Sequence, residues 1–137
     1  MAIEVHSAFL AKKKTLALAE SCTGGAIAAS LVQIPDASKF LLGSIVAYSD
    51  EWKNHFLHVT APSISSEAAK QMVEGLFQET TADFAVSITG NVGGKVFVGM
   101  AERGKKIEVL EIMTPNPRNA AIEYAVQFTL KELAKRI

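Results

Sequence analysis

The chain has 137 residues, and its fourteen basic and fourteen acidic side chains give a formal net charge of zero at pH 7. This balance argues against a protein that holds nucleic acid or an anionic membrane by charge. No apolar run approaches the roughly 20 residues of a membrane helix. With 49% hydrophobic and 20% charged residues, the sequence predicts one folded domain over residues 1–137.

The amino terminus and the cysteine content indicate a cytoplasmic protein. Glu4 lies near the start, and the Lys12–Lys14 run follows the first apolar residues, which is not the order of a signal peptide. Cys22 is the single cysteine. It excludes an intrachain disulfide and fits a reducing compartment.

Hydrophobic periodicity and turn residues divide the chain into alternating helices and strands. In chain order, the sequence predicts a helix over 3–12, a strand over 15–20, a helix over 24–33, a strand over 40–49, helices over 50–58 and 65–80, strands over 83–89, 95–103 and 105–114, and a helix over 115–137. Ser65 or Ser66 is the predicted N-cap of the helix over 65–80.

This order of elements predicts an α/β fold, a three-layer α/β/α sandwich around a mixed, mostly parallel sheet of about five strands. The last two strands flank Gly104 and form a predicted antiparallel hairpin. Open α/β sheets carry their sites at the carboxyl ends of the parallel strands. In this chain those ends carry the segments ESCTGG, AYSDEWK and SITGNVGG.

Ser21 follows the first predicted strand, and Gly24 and Gly25 open the next predicted helix. Such a turn exposes a side chain and directs N–H groups at the same point, where they can hold an oxyanion or a phosphate. Serine is a poor nucleophile unless a base takes its proton. The turn is therefore a candidate active site whose base lies elsewhere in the chain.

Lys53 is the best candidate for that base. It follows Tyr48 by about one helical turn, after the second predicted strand. A buried lysine has a lowered pKa and can accept a proton, and Tyr48 could relay that proton or orient the amine. We expect Ser21 Oγ and Lys53 Nζ to approach the ~2.6–3.2 Å of a hydrogen bond, or a somewhat longer distance without ligand. No acid–histidine order suited to a serine triad is present among His6, His55 and His58.

Each pattern also has a purely structural explanation. A Ser-Cys-Thr-Gly-Gly segment also forms an N-cap and a tight turn, and Tyr48 and Lys53 also fit an edge aromatic and a solvated lysine. Cys22 is either a second nucleophile or an inert buried thiol. The glycine-rich turn over 90–94 is by itself a weak signal for phosphate binding.

Four segments taken together resemble the CinA C-terminal domain family, in the same order along the chain. They are AESCTGG at 19–25, AYSDEWK at 47–53, SISSEAAKQM at 63–72 and SITG at 87–90. The Glu-Ser-Cys-Thr-Gly-Gly motif typical of the family is complete, and the second motif has Asp50 where the family has asparagine. The resemblance extends from about Thr15 to Gly104.

The family includes nicotinamide-nucleotide amidohydrolases, which convert nicotinamide mononucleotide (NMN) and water to nicotinate mononucleotide and ammonia. The resemblance implies the α/β/α fold, a hydrolase of NAD recycling, and no metal or organic cofactor. It implies that Ser21 attacks the carboxamide carbon and that Lys53, assisted by Tyr48, accepts the proton. Backbone N–H groups of residues 22–25 would then stabilise the oxyanion.

The resemblance also implies a set of substrate-binding residues, with Arg118 placed to meet a phosphate at the start of the last helix. The set comprises Glu20, Cys22, Thr23, Gly24, Gly25, Thr89, Gly90, Asn91 and Arg118. The third motif departs from the family pattern. The segment TGNVGGKVFVG at 89–99 is several residues shorter, and Phe97 stands where the family usually has proline.

Two functions are therefore expected as alternatives. The first is an NMN amidohydrolase acting as a stand-alone domain, with hydrolysis of a different amide as a weaker variant. The second is a catalytically impaired CinA-like domain that binds a nucleotide or a protein partner. The expected partner is a small-molecule nucleotide, with no nucleic acid or membrane. Apolar composition and resemblance are compatible with a homo-oligomer whose neighbouring chain completes the pocket.

Overall fold

A five-stranded sheet with helices on both faces forms the framework in the computed structural model, which describes residues 1–137. The elements are α1 (Ala2–Lys12), β1 (Leu16–Glu20), α2 (Ala26–Val32), a 3-10 turn (Ala37–Lys39), β2 (Leu41–Val46), α3 (Asp50–Leu57), α4 (Ser66–Glu79), β3 (Phe84–Gly90), β4 (Lys95–Glu102), β5 (Glu108–Met113) and α5 (Arg118–Ala134).

The strand order β2-β1-β3-β4-β5 places β1 between β2 and β3, and both pair with it in parallel. β4 is antiparallel to β3 and to β5, so four of the five strands run in one direction. The mixed α/β/α sandwich and the hairpin around Gly104 are confirmed. Because Glu20 pairs with Val46 on one side and Ile88 on the other, the carboxyl ends of three strands meet at one edge.

The two faces of the sheet carry side chains of different size. Along β1, Leu16 and Leu18 face the layer of α1, α2 and α5, whereas Ala17 and Ala19 face α4. This alternation follows from the two-residue period of a strand. All five residues of β1 are buried, as expected for a central parallel strand that is covered on both faces.

Helices α3 and α4 approach closely because Gly75 has no side chain. A Cβ at this position would overlap the main-chain oxygen of Leu57, at the end of α3. Ser49 caps α3 by accepting from Trp52 N–H at 3.1 Å, and Ser65 caps α4 by accepting from Ala68 N–H at 3.1 Å. The predicted cap at Ser65 is thus confirmed, and α3 packs closely against α4.

Several predicted elements were longer than the observed ones, and two of these differences lie near the site. The second strand was expected to reach residue 49 but ends at Val46, because the chain must turn before Ser49 to cap α3. The last helix was expected from residue 115 but begins at Arg118, with Pro117 as its N-cap residue. None of the helices combines the length and hydropathy of a membrane span.

Candidate active site

The turn after β1 and the segment after β2 lie side by side at the carboxyl edge of the sheet. Ser21 N–H donates to the main-chain oxygen of Ile88 at 3.0 Å, and Ala47 N–H donates to that of Glu20 at 3.0 Å. These two bonds continue the strand pairing by one residue on each side of β1. They place Ser21 next to Tyr48, the first residue beyond that pairing.

Ser21 and Lys53 share one hydrogen-bond acceptor, the main-chain oxygen of Tyr48. Ser21 Oγ donates to it at 3.4 Å, and Lys53 Nζ donates to it at 2.9 Å. Ser21 Oγ and Lys53 Nζ make no hydrogen bond to each other, so a shared acceptor replaces the expected direct contact. The structure nevertheless brings both side chains to one point.

Lys53 is a buried lysine, with 1% of its side chain exposed. Burial lowers the pKa of its ammonium group, and the nearby charge of the Asp50 carboxylate acts in the opposite direction. The Asp50 carboxylate lies 3.9 Å from Lys53 Nζ and is itself mostly exposed. Asp50 was not among the predicted site residues, although its i,i+3 spacing to Lys53 on a helix could have indicated the contact.

Lys53 also lines an open cleft of about 680 Å³ between α3 and the segment that follows it. The other lining residues are Asp50, Glu51, Asn54, Val59, Thr60, Ala61 and Pro62. The segment over 60–61 is held by Gln71, whose Oε1 accepts from the N–H groups of Thr60 and Ala61. The buried amine therefore lies at the wall of a space large enough for part of a small-molecule ligand.

The Tyr48 phenol faces away from Lys53. It is 61% exposed, and its oxygen accepts from Arg118 Nη2 at 3.1 Å. The expectation that this hydroxyl relays a proton to Lys53 therefore has no support in the geometry, since Tyr48 orients the amine through its carbonyl. Arg118 forms no ion pair with a carboxylate, and α5 brings it to the site from 70 residues along the chain.

Glycines shape the turn behind Ser21. Gly24 and Gly25 have φ of +61° and +101°, in the left-handed region that glycine adopts without strain. Gly24 N–H donates to the main-chain oxygen of Ser21, while the N–H groups of Cys22, Thr23 and Gly25 have no main-chain acceptor in the protein. These three N–H groups are the candidate oxyanion donors of the turn.

Glu20, which was predicted to bind substrate, is fully buried. Its carboxylate accepts hydrogen bonds from the turn, from α2 and from β2. The donors are Thr23 Oγ1 at 2.7 Å, Ile27 N–H at 2.8 Å, Ala28 N–H at 3.1 Å and Ser44 Oγ at 2.9 Å. Every bond is made within the protein, so no substrate reaches this group.

The side chains of Cys22 and Thr23 are also turned inward. Cys22 packs in the core beneath α1, α2 and α5, and burial raises the pKa of its thiol to about 11. The thiol is therefore protonated at neutral pH and is a poor nucleophile. Thr23 uses its hydroxyl to bond Glu20. Only the main chain of these two residues can face a ligand.

The shortened third motif is a tight turn between β3 and β4. Thr89, predicted to bind substrate, is buried, and its Oγ1 donates to the main-chain oxygen of Ser63 at 2.9 Å. Gly90 has no room for a side chain beside Lys95. Asn91 is exposed and closes the turn by donating its N–H to Lys95 at 2.8 Å. Of the three predicted ligands here, Asn91 alone presents a side chain to solvent.

This turn supports the segment that leads to Arg118. Gly93 N–H donates to Thr114 Oγ1 at 2.8 Å, and Thr114 N–H donates to the main-chain oxygen of Gly94 at 2.9 Å. A Cβ on Gly93 would lie 2.7 Å from Asn116 Oδ1. The third motif therefore packs against residues 114–116, immediately before α5.

Comparison with known sequences identifies one family over the whole chain. Residues 1–137 match the CinA C-terminal domain family. A CinA-like protein of Leptospira borgpetersenii is 31% identical over 98% of this chain and 36% of its own length. A CinA-like protein of Thermotoga maritima is 44% identical over 60% of this chain and 22% of its own length. The chain thus spans about a third or less of these relatives.

Solved structures give the same result. A CinA superfamily protein of Klebsiella pneumoniae has a TM-score of 0.94 and 29% identity, with 98% of this chain and 94% of that chain covered. A competence or damage-inducible protein of Enterobacter asburiae has a TM-score of 0.93 and 25% identity, with 98% and 94% covered. The motifs, the fold and these similarities agree, and the chain belongs to the CinA C-terminal domain family.

Proposed function

We propose that this chain is an amidohydrolase that converts NMN and water to nicotinate mononucleotide and ammonia. One observation carries the proposal: Ser21 Oγ and the buried Lys53 Nζ both contact the main-chain oxygen of Tyr48. A serine hydroxyl beside a lysine of lowered pKa is a nucleophile paired with a base. The similarity to CinA-domain proteins supports the choice of a nucleotide carboxamide as substrate.

In the proposed first half-reaction, Ser21 Oγ attacks the carboxamide carbon and its proton passes to neutral Lys53. The oxyanion accepts from the free N–H groups of the turn, those of Cys22, Thr23 and Gly25. As the C–N bond breaks, the Lys53 ammonium gives the proton to the leaving nitrogen and ammonia departs. An ester between Ser21 and the nicotinoyl group remains.

In the second half-reaction, water attacks this ester and Lys53 takes the proton of the water molecule. The C–O bond to Ser21 breaks, the serine regains a proton from Lys53, and nicotinate mononucleotide is released. The 3.4 Å bond from Ser21 Oγ to Tyr48 is long, so the hydroxyl is free to turn toward Lys53 when substrate enters. Catalytic hydrogen bonds are often long before substrate binds.

Arg118 is the proposed phosphate ligand. It has no carboxylate partner, and the Tyr48 hydroxyl holds one of its guanidinium nitrogens at 3.1 Å. A guanidinium without a carboxylate partner can bind a phosphate through two parallel N–H donors. The substrate would then extend from Ser21 toward the start of α5.

A second candidate is a domain that binds the nucleotide without hydrolysing it. The absence of a hydrogen bond between Ser21 Oγ and Lys53 Nζ favours this alternative. The main clefts also do not include Ser21 among their lining residues. In this case Arg118 and the turn would bind the nucleotide while Lys53 stays protonated.

Incubation of the purified chain with NMN separates the two functions. The amidohydrolase predicts equal amounts of ammonia and nicotinate mononucleotide, and a lower kcat/KM for nicotinamide riboside, which lacks the phosphate. The binding domain predicts no ammonia but a rise in melting temperature with NMN. Neither ammonia nor a melting shift would show that the substrate is wrong.

A further inference from the structure

The Glu20 carboxylate is a buried charge with no basic side chain as its partner. It is fully buried, and all four of its donors are hydroxyl or main-chain N–H groups. A buried charge is costly unless it is hydrogen-bonded throughout. The chain meets that requirement at the residue directly before the proposed nucleophile.

The four bonds join three elements that surround Ser21. Thr23 Oγ1 lies in the turn itself, Ile27 N–H and Ala28 N–H lie in the first turn of α2, and Ser44 Oγ lies on β2. A carboxylate is favoured at the start of a helix, where N–H groups are otherwise unsatisfied. Glu20 therefore fixes the distance between the end of β1 and the start of α2, and Ser21 lies within that span.

Glu20 also determines which N–H groups are left for a ligand. The N–H groups of Ile27 and Ala28 are already bonded to the carboxylate. Those of Cys22, Thr23 and Gly25 have no main-chain acceptor in the protein. A negative charge that develops on a substrate at this turn would therefore meet the N–H groups of the turn, and not those of Ile27 and Ala28 in α2.

We propose that Glu20 is the positioning residue of the catalytic turn, which holds Ser21 against Tyr48 and leaves the N–H groups of Cys22, Thr23 and Gly25 free for the oxyanion. This inference rests on the proposed function, because it assigns to Glu20 a task in that reaction. It differs from a purely stabilising role, since one of the four bonds comes from the turn that carries the nucleophile and two come from the first turn of the helix that follows it. Glu20 itself touches no substrate.

The test is Glu20→Gln, which keeps the size of the side chain but replaces one oxygen by an NH₂ donor. The new NH₂ group would face the main-chain N–H of Ile27 or Ala28, which is also a donor, so the turn must shift. Small displacements of catalytic groups cost about 10²-fold in rate. We therefore expect kcat for NMN to fall by about 10²-fold, with KM changed by less than about threefold.

A second readout does not depend on the substrate. Labelling of Ser21 by a small fluorophosphonate, followed by mass spectrometry of the intact chain, measures the reactivity of the hydroxyl alone. It should slow in Glu20→Gln in parallel with kcat and recover in part in Glu20→Asp, which restores the charge.

Circular dichroism at the assay temperature establishes that each variant is folded. If Glu20→Gln does not fold, Thr23→Val replaces it, because that change removes only the bond from the turn.

Ser44→Ala is the matched control, because it removes one bond to the same carboxylate from the β2 side and leaves the turn and α2 bonds intact. It should lower the melting temperature while kcat and labelling stay within about threefold of the wild type. A folded Glu20→Gln with wild-type kcat and labelling would overturn the positioning role alone. A wild-type chain whose Ser21 is neither labelled nor active on NMN would instead refute the proposed function, and the positioning role with it.

Discussion

Ser21 and Lys53 meet at one atom, the main-chain oxygen of Tyr48. This oxygen lies between the end of β2 and the cap of α3, so both elements fix its position. It accepts the serine hydroxyl at 3.4 Å and the lysine amine at 2.9 Å. The contact between residues 48 and 53 is therefore made by the backbone, and the aromatic side chain is free for a different contact with Arg118.

Lys53→Met should abolish activity without weakening the fold. Methionine has a similar shape and no charge, and burial of a lysine with a single close acceptor is costly. We expect the loss of a general base to lower kcat by about 10²–10⁴-fold. The melting temperature should stay the same or rise. Thermal unfolding and ammonia release measured on one preparation test both halves, and a folded, active Lys53→Met would exclude Lys53 as the base.

The pH dependence should report a lysine of lowered pKa. Burial disfavours the ammonium form, so the pKa of Lys53 lies below its usual value of 10.5. The neutral base is therefore present at a lower pH than in an exposed lysine. Because the reaction needs that neutral amine, kcat/KM should rise with pH and level off above the pKa of Lys53. Measurement of kcat/KM from about pH 6 to about pH 10 gives this rising part of the profile, its limb.

Asp50→Asn tests the assignment of that limb. The Asp50 carboxylate favours the ammonium form of Lys53, so its removal should lower the pKa further and move the limb to lower pH. Glu51→Gln is the control, because it changes the charge of the neighbouring residue without removing a charge that acts on Lys53. A limb that moves to higher pH in Asp50→Asn, or moves equally in both variants, would contradict the assignment.

Tyr48→Phe should affect substrate binding more than chemistry. The carbonyl that holds Ser21 and Lys53 remains, and only the hydroxyl that accepts from Arg118 is lost. We expect kcat to stay within about threefold and KM for NMN to rise. Arg118→Ala should raise KM further, since a charged hydrogen bond contributes about 1.5–3 kcal/mol. If kcat fell as much in Tyr48→Phe as in Lys53→Met, the phenol would take part in proton transfer.

Cys22→Ala should remain active. The thiol lies in the core with a pKa raised to about 11, so it is protonated at the pH of the assay. Its removal leaves a small cavity and should lower stability by about 1 kcal/mol, with kcat unchanged within about threefold. Loss of activity in a folded Cys22→Ala would make the cysteine, and not Ser21, the candidate nucleophile.

Periodicity and turn residues were sufficient to predict the framework of this domain. The alternation along β1, the Ser65 cap and the hairpin around Gly104 depend on neighbours within a few positions, which a sequence displays directly. The edge of the sheet at which the carboxyl ends of the parallel strands meet could be predicted for the same reason. The sequence therefore predicts that Ser21 and Lys53 lie at one edge of the sheet.

The contacts within the site depend on residues that are distant in sequence. Glu20 precedes a reactive turn and was expected to face the substrate, but Ser44 and the first turn of α2 enclose it only in the folded chain. A sequence also does not distinguish a contact made by a side chain from one made by the main chain. For this reason the sequence indicated a role for the phenol of Tyr48, whereas its carbonyl is the group that contacts Ser21 and Lys53.

The most direct test of the central claim is the rate of ammonia release from NMN by Ser21→Ala, compared with the wild type at equal concentration. Removal of the hydroxyl deletes the atom that forms the ester, and alanine leaves the main-chain hydrogen bonds of the turn intact. We expect the rate of Ser21→Ala to be lower than that of the wild type by at least about 10³-fold, at the background of the assay. Release by a folded Ser21→Ala at the wild-type rate would contradict it.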